Sequence, residues 1–471
     1  SGLFWQMMQR TIMQLISFGV SVVLARMLMP EDFGVVALSG MFIILIGIFI
    51  DSGLGTALVQ KKDADDLDYN TVFYANIGFA SIVYMLVFVL APFVAIIFKN
   101  PQVTSILRVM ALGMPIGALS GVHNAMVSKN MAFRKFFFSS ISGSILSAIV
   151  GLTMVLLGCG VWSLVGQNLV SIMANTLVLI YIVRWFPKRK FSKERFKSLF
   201  SFGWKLTASN LIGTFFSQLK GYAIGLKYSP TDLAYYNRGE GVPGILFNNI
   251  NSSINTVLFP VLSKLQDDKD AVRRALSRSM QMASFVLMPA LLGLAAVSEN
   301  FVEILYTSKW AATIPFMQVI CVMNCFDLLG AANIQALKAV GRADTLLKLE
   351  VYKKPLMLTI LVGCMFISPL AIAIGQLVYS LIALAINAYP NRKYVNYPLK
   401  DQFMDISRSL LTATSMAVVV YIIGKLPLNI YLLLGIQVVV GIILYVVLAK
   451  LFNNDSFVEV MQLVKSKFHK K

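Results

Sequence analysis

Five basic residues lie inside otherwise apolar stretches of this sequence: Arg10, Arg108, Lys205, Lys220 and Arg238. The acidic residues in comparable positions are fewer: Asp51, Glu240, Glu303 and Asp327. An ionisable side chain surrounded by hydrocarbon is costly, so such residues face a polar cavity, a pathway or a partner. An excess of cations suits an anionic ligand, and the guanidinium fork matches the oxygens of a phosphate or diphosphate. Arg10 and Lys205 stand near the ends of their apolar stretches, where a long side chain can instead reach water while its stem stays in the lipid. Asn248, Asn249, Asn251 and Asn255 form a polar series with two readings, hydrogen bonding to sugar hydroxyls or contact between neighbouring helices. The run Arg238-Gly239-Glu240-Gly241-Val242-Pro243-Gly244 is expected either to break a helix and free backbone N–H groups for an anion or simply to bend it. Asp51 either takes up a coupling proton or sodium ion, pairs with Arg10, or caps a break at Gly53 and Gly55. Asp327 is a second ion-coupling candidate, with no partner evident in the sequence.

Other chemistries have little to stand on. Cys159, Cys321, Cys325 and Cys364 are scattered, and only His123 and His469 could supply imidazole ligands. Cys321 and Cys325 share a helix face, which fits buried packing better than metal binding without a nearby His. No Gly-x-x-x-x-Gly-Lys-Ser/Thr string occurs, so nucleotide hydrolysis is not expected to drive anything here. No cofactor or metal is anticipated.

The elements that position these residues are set by composition. Of 471 residues, 57% are hydrophobic and 13% charged, about half the charged fraction of a water-soluble chain. The apolar runs are too long and too uniform for barrel strands, so an all-α integral membrane protein is expected. Windows of about 20 apolar residues give about fourteen transmembrane helices. They cover residues 4–28, 33–58, 71–98, 103–127, 136–157, 161–185, 200–226, 232–261, 276–305, 312–340, 347–367, 370–389, 407–423 and 430–449. The window at 232–261 is the weakest, because its Arg, Glu and Asn residues cannot all face lipid.

Basic residues alternate between connections in a way that sets orientation. With the N-terminus inside, inner connections and the C-terminal tail hold about 30 Lys and Arg. Outer connections hold Arg26, Lys99, Lys227, Lys309 and Lys425. The net charge of +19 is therefore read as topology and attraction to anionic headgroups, and nucleic acid is not an expected partner. The segment at 191–200 mixes Phe191, Phe196, Leu199 and Phe200 with Lys and Arg, as in an interfacial helix or a solvated basic loop.

The chain also repeats itself. Pro30-Glu31-Asp32 recurs as Pro230-Thr231-Asp232, an offset of 200 residues, and Pro115 recurs as Pro315. Pro92 with Pro289, and Trp5 with Trp204, keep nearly the same offset. A duplication of six spans places both halves in the membrane with the same orientation. The expected organisation is an N-lobe at 1–185, a cytoplasmic basic linker at 186–199 and a C-lobe at 200–390. Two added helices at 391–449 and a cytoplasmic tail at 450–471 complete it. Two like bundles around a central cavity are an arrangement suited to alternating access.

Three strings carry a family resemblance: Leu24-Ala25-Arg26-Met27-Leu28-Met29-Pro30-Glu31-Asp32-Phe33-Gly34, Asp51-Ser52-Gly53-Leu54-Gly55-Thr56-Ala57-Leu58-Val59-Gln60, and Ala339-Val340-Gly341-Arg342. With the basic connection before residue 200, they resemble the polysaccharide transporter family. This is the group of O-antigen, colanic acid and teichuronic acid flippases within the multidrug/oligosaccharidyl-lipid/polysaccharide exporter superfamily. The resemblance implies two six-helix lobes in a V-shape. It also implies movement of an undecaprenyl-diphosphate-linked oligosaccharide from the inner to the outer leaflet of a bacterial plasma membrane, and proximity to polysaccharide polymerase machinery. Fourteen helices look like the related lipid II flippases, whose first helix contributes cations to the headgroup cavity. Arg10 and Arg26 match by helix and depth.

The expected substrate-binding residues are thus Arg10, Arg26, Arg108, Lys205, Lys220, Arg238, Asn248 and Asn251. Expected partners are the lipid-linked oligosaccharide, membrane lipids and a coupling proton or sodium ion. A cation-coupled drug exporter of the same superfamily calls for an acidic cavity, against the sign of these charges. A membrane enzyme acting on lipid-linked glycans calls for a large outer loop, and the outer connections are short. A passive scramblase or channel remains open.

Overall fold

The computed structural model describes residues 2–51, 53–452 and 457, with side chains from residue 5 onward except 6, 7 and 51. Its helices are α1 (Gly2–Met27), α2 (Pro30–Asp51), α3 (Leu54–Gln60), α4 (Asp66–Ile97), α5 (Gln102–Ala111), α6 (Gly113–Ala118), α7 (Gly121–Lys129), α8 (Phe133–Leu156), α9 (Trp162–Val183), α10 (Lys193–Lys227), α11 (Pro230–Lys264), α12 (Lys269–Tyr306), α13 (Ile314–Ala339), α14 (Ala343–Met365), α15 (Pro369–Tyr394), α16 (Leu399–Ile423) and α17 (Ile430–Leu451). A single 3-10 turn, Ser308–Thr313, precedes α13. The described residues are otherwise loops and turns.

Ten of these helices are long and apolar enough to cross a membrane, and α5–α7, bent by 46°, makes an eleventh if taken as one broken span. The chain is a multi-span, all-helical membrane protein. Every expected window carries helix, but α10, α11 and α14 are too polar to qualify by composition. Most of the tail expected at 450–471 lies outside the described residues.

Contacts divide the chain into two compact units, residues 1–234 and 235–471. The division falls early in α11, not in the basic segment at 186–199, because α10 packs within the first unit. There Tyr222 Oη donates to Met41 O of α2 at 3.0 Å. Phe79 of α4 lies 6.1 Å from both Phe196 and Phe200 of α10. The segment at 191–200 is accordingly neither a separate interfacial helix nor wholly a loop. Ser192 accepts from the Arg195 N–H as an N-cap, and residues from Lys193 onward are the first turns of a 35-residue helix.

Within the first unit, α8 and α9 approach closely through small residues. Ser139, Ser140, Gly143, Ser144, Ser147 and Gly151 are buried along one face of α8. A Cβ at Gly143 would lie 3.0 Å from Ser171 O of α9. Small residues suit this place because, in lipid, helices associate by packing rather than by hydrophobic exclusion from water. The break foreseen after Asp51 is present: Gly53 has φ 64°, and α3 starts at Leu54. A Cβ there would meet Gly203 O of α10 at 2.3 Å, so glycine answers both the backbone angle and the approach.

One end of this unit is fastened by charge. Asp65 caps α4 by accepting from the Asp68 N–H, and Asp68 reciprocates on the Asp65 N–H. The buried Asp68 carboxylate pairs with Lys61 Nζ at 2.5 Å and Arg195 at 3.5 Å. Lys188 Nζ reaches Asp66 at 2.5 Å, and the Ser192 N–H donates to Thr71 Oγ1. The basic segment is therefore laid along the start of α4 and partly neutralised by it. The Asp68 N–H and then the Arg195 charge hold the Asp65 carboxyl below its ordinary value.

In the second unit, α12 is the central element, packed against α13, α16 and α17. Tyr445 Oη of α17 donates to Phe285 O at 2.7 Å, and Asn300 Nδ2 donates to Gln437 Oε1 at 2.8 Å. Ser277 Oγ and Tyr397 Oη both donate to Asp405 Oδ2, tying α12 to α16. The two helices expected to lie outside the repeat are thus an integral part of this unit's packing.

One local expectation needs correction. The run from Arg238 to Gly244 does not open: α11 is continuous from Pro230 to Lys264, with Pro243 and Pro260 inside it. Gly239 instead permits close approach to α13, since a Cβ there would stand 2.8 Å from Phe316 Cβ. Pro315 stands in the first turn of α13, where its missing N–H costs nothing, and Pro115 lies within the short α6.

Candidate functional site

In the first unit the cations take up distinct positions. Arg10 lies eight residues after the first residue of α1, about 12 Å along the axis, and is exposed. Arg26 is exposed in the last turn of the same helix, and α1 contains no acidic residue. Lys205 is exposed about 18 Å along α10 from Lys193, and Lys220 is half-buried further on. Arg108 is differently placed. Its Nε donates to Phe88 O of α4 at 3.0 Å, and its guanidinium stacks 4.1 Å from the Phe88 ring centroid. That pairing makes Arg108 a clamp between α5 and α4.

In the second unit, Arg238 lies over two rings, 4.8 Å from the centroids of both Tyr306 and Trp310. Trp310 is fully buried, and Tyr235 meets it edge-on at 6.0 Å while its hydroxyl donates to Lys309 O. This aromatic box anchors α11 to the end of α12 through the attraction of the Arg238 cation to the ring faces. The sequence offers no sign of it, because Trp310 stands far from Arg238 along the chain.

Further along α11, Asn248 is exposed, and the buried Asn251 Oδ1 has no hydrogen-bond partner. Asn255 Oδ1 accepts from Gln335 Nε2 of α13 at 2.9 Å, so this member of the series serves a helix contact. Ser253 and Thr256 return their hydroxyls to carbonyls of α11 itself. On this face the amide of Asn248 is exposed, whereas the unsatisfied Asn251 Oδ1 is enclosed by protein.

Asp327 of α13, for which the sequence names no partner, accepts a short hydrogen bond from Ser380 Oγ of α15. The same seam continues with Asn333 and Asn391, where Asn391 Nδ2 donates to Asn333 Oδ1 at 2.7 Å, and Gln402 Nε2 adds a second bond to that oxygen. The Asp51 side chain lies outside the described residues. Cys321 and Cys325 are buried in α13, and no group of three or more metal-ligating side chains occurs among the described residues.

Comparison with known proteins places this arrangement. A family model described as "Polysaccharide biosynthesis protein" matches residues 23–315. The lipopolysaccharide biosynthesis protein WzxC of Escherichia coli (strain K12) is 25% identical over 389 residues, 81% of this chain and 78% of that protein. The succinoglycan biosynthesis transport protein ExoT of Rhizobium meliloti (strain 1021) is 27% identical over 342 residues, 73% of this chain and 69% of that protein. Among solved structures, the lipid II flippase MurJ in an inward closed conformation superposes with a TM-score of 0.77 at 15% identity, covering 96% of this chain and 99% of that one. An inward-facing multidrug resistance MATE family transporter gives 0.63, at 15% identity and with 88% of this chain and 99% of that one covered. These two likenesses establish a shared fold.

Proposed function

Because the chain belongs to the polysaccharide biosynthesis protein family, to which its sequence motifs pointed, we propose that it is a flippase for a lipid-linked oligosaccharide. The substrate is an undecaprenyl-diphosphate-linked polysaccharide repeat unit, carried from the cytoplasmic to the outer leaflet by alternating access between two lobes. The observation that carries this reading is the sign and placement of charge on the long helices. α1 bears Arg10 and Arg26 with no acid, and α10 bears Lys205 and Lys220 with Glu194 as its one acidic residue. A diphosphate needs such cations, and its sugars need acceptors and donors of the kind offered by Asn248 and Asn251. Carrying a charged, hydroxylated head through hydrocarbon unaided costs far more than thermal energy, so the protein's work is to supply a polar path.

Fourteen spans, cytoplasmic termini and a proton or sodium ion coupled through Asp327 or Asp51 belong to the same proposal. The positive-inside bias supports the orientation, and the relatives named for lipopolysaccharide and succinoglycan biosynthesis support the substrate class. The test is reconstitution in liposomes with a fluorescent undecaprenyl-diphosphate oligosaccharide, following exchange between leaflets. Exchange by the wild type that is lost in Arg10→Ala and Lys205→Ala supports the reading. Export of cationic dyes without lipid exchange sinks the substrate assignment and leaves a drug exporter.

A further inference from the structure

Three helix ends of the first unit converge on one boundary of its spans: the start of α1, the start of α8 and the end of α9. They enclose a cleft of about 500 Å³ lined by Trp5, Met131, Arg134, Lys135, Phe138 and Ile182, among others. Arg134 lies 5.5 Å from the ring centroids of both Trp5 and Phe138. Trp5 is itself held edge-on against the buried Phe137 at 5.0 Å. Gln9 Nε2 donates to Ser140 Oγ at 2.8 Å and fixes α1 on α8 at this level.

The charge at this site is unbalanced. Neither Arg134 nor Lys135 has a carboxylate partner among the described residues, and no Asp or Glu occurs in the sequence between Asp68 and Glu194. The contrast is local. Lys129, four residues before α8, donates to Lys61 O and Lys62 O, which sets the α7–α8 turn beside the α3–α4 connection. There Lys61, Lys188 and Arg195 are all paired with Asp65, Asp66 or Asp68. Two cations at the same face lack what their neighbours have.

The apolar part of the cleft is equally uncovered. Met131 is 75% exposed and Phe138 42% exposed. Arg134 and Lys135 are the second and third residues of a span, and Ile182 is the next-to-last residue of another, so they stand at the level of lipid headgroups, while Phe138 lies about 6 Å deeper than Arg134, toward the acyl region. Paired cations above an exposed aromatic and aliphatic wall complement a molecule with a phosphate at one end and hydrocarbon at the other.

We propose that this cleft binds an anionic phospholipid, its phosphate on Arg134 and Lys135 between Met131 and Ile182, and its acyl chains running inward along Phe138. The site is distinct from the cations on α1 and α10 assigned to the transported substrate, and it does not rest on that assignment. Trp5 reports on it directly. In nanodiscs of the full chain in phosphatidylcholine, dibrominated phosphatidylglycerol and dibrominated phosphatidylcholine should quench tryptophan fluorescence, with the Trp5 part isolated as the difference from Trp5→Phe. The anionic lipid should reach half-quenching of that part at a mole fraction about thirtyfold lower, as two basic residues near the surface imply. Arg134→Gln combined with Lys135→Gln should erase the preference, while Arg134→Lys with wild-type Lys135 should keep most of it. Should the double variant fail to fold, Lys135→Gln alone should still narrow the preference severalfold. Soluble glycerol phosphate, which lacks the chains, should not compete. Equal quenching by the two lipids, a preference that survives loss of both charges, or competition by glycerol phosphate would overturn the proposal.

Discussion

A Cβ on Gly34 would stand 1.9 Å from the carbonyl oxygen of Pro230. The two residues belong to the repeated Pro-x-Asp turns, and each turn makes the same bond: the Met29 N–H donates to Asp32 Oδ2, and the Ser229 N–H to Asp232 Oδ2. Backbone lies against the α-carbon of Gly34, so no rotamer change relieves the clash. Gly34→Val should cost about 1–3 kcal/mol and lower the thermal unfolding midpoint in detergent by several degrees. An unchanged midpoint would show that the turns do not meet as described.

The Asp68 carboxylate is fully buried, while Lys61 is 28% exposed. Lys61→Met leaves that carboxylate with the Asp65 N–H and the longer Arg195 contact as its remaining partners and should destabilise the protein by about 2 kcal/mol. Lys188→Met removes a pair exposed on both sides and should cost less than about 1 kcal/mol. Thermal unfolding of both variants checks the order, and a larger loss for Lys188→Met would refute it.

Two groups outside the spans give opposite pH dependences. Asp65 has a lowered pKa in the folded chain, so its contribution is present above the ordinary carboxylate value and fades as pH falls through the folded pKa, below 3.8. The hydrogen bond to Glu299 raises the pKa of Lys425, so that contribution is present below 10.5 and fades as pH rises through the folded value. Stability against pH should lose its acid-side component in Asp65→Asn and its alkaline component in Lys425→Met. Curves that match the wild type at both ends would contradict the pairings.

Arg10 and Arg108 should separate transport from stability. Arg108→Gln gives up the Phe88 stacking and the bond to Phe88 O, so it should lower stability by about 1 kcal/mol while the folded fraction still exchanges lipid. Arg10→Gln should leave the unfolding midpoint nearly unchanged and cut leaflet exchange at least tenfold. The reverse pattern would exchange their roles.

If Asp327 carries the coupling ion, Asp327→Asn should remove the stimulation of transport by an imposed proton or sodium gradient and leave exchange at equilibrium intact. Ser380→Ala, which removes the donor to Asp327, should weaken that stimulation without abolishing it. Undiminished stimulation in Asp327→Asn would remove this residue from the coupling pathway.

Much of the architecture was legible because it is written in local chemistry. Long apolar windows specify helices that satisfy their own backbone groups in lipid, and a Pro-x-Asp turn specifies its own cap wherever it stands. Gly53 announced a break in the same way, since its angle is a property of one residue. The roles of the charged side chains were not legible, because a charge is defined by what lies across from it. Arg108 and Arg10 look alike in sequence, yet one is stacked on Phe88 and the other is exposed. Arg238 resembles the other intramembrane cations in sequence, yet it lies over Tyr306 and Trp310, which are distant in the chain. The glycine and proline run after Arg238 pointed to an opened or bent helix, but α11 is helical throughout and Gly239 serves a close approach to Phe316. Sequence alone determined a multi-span helical membrane protein with a recurring Pro-x-Asp turn, a cationic bias and a family. Tertiary structure decided which cations are neutralised, which are stacked and which stay exposed, because those depend on neighbours that only folding brings within a few ångströms.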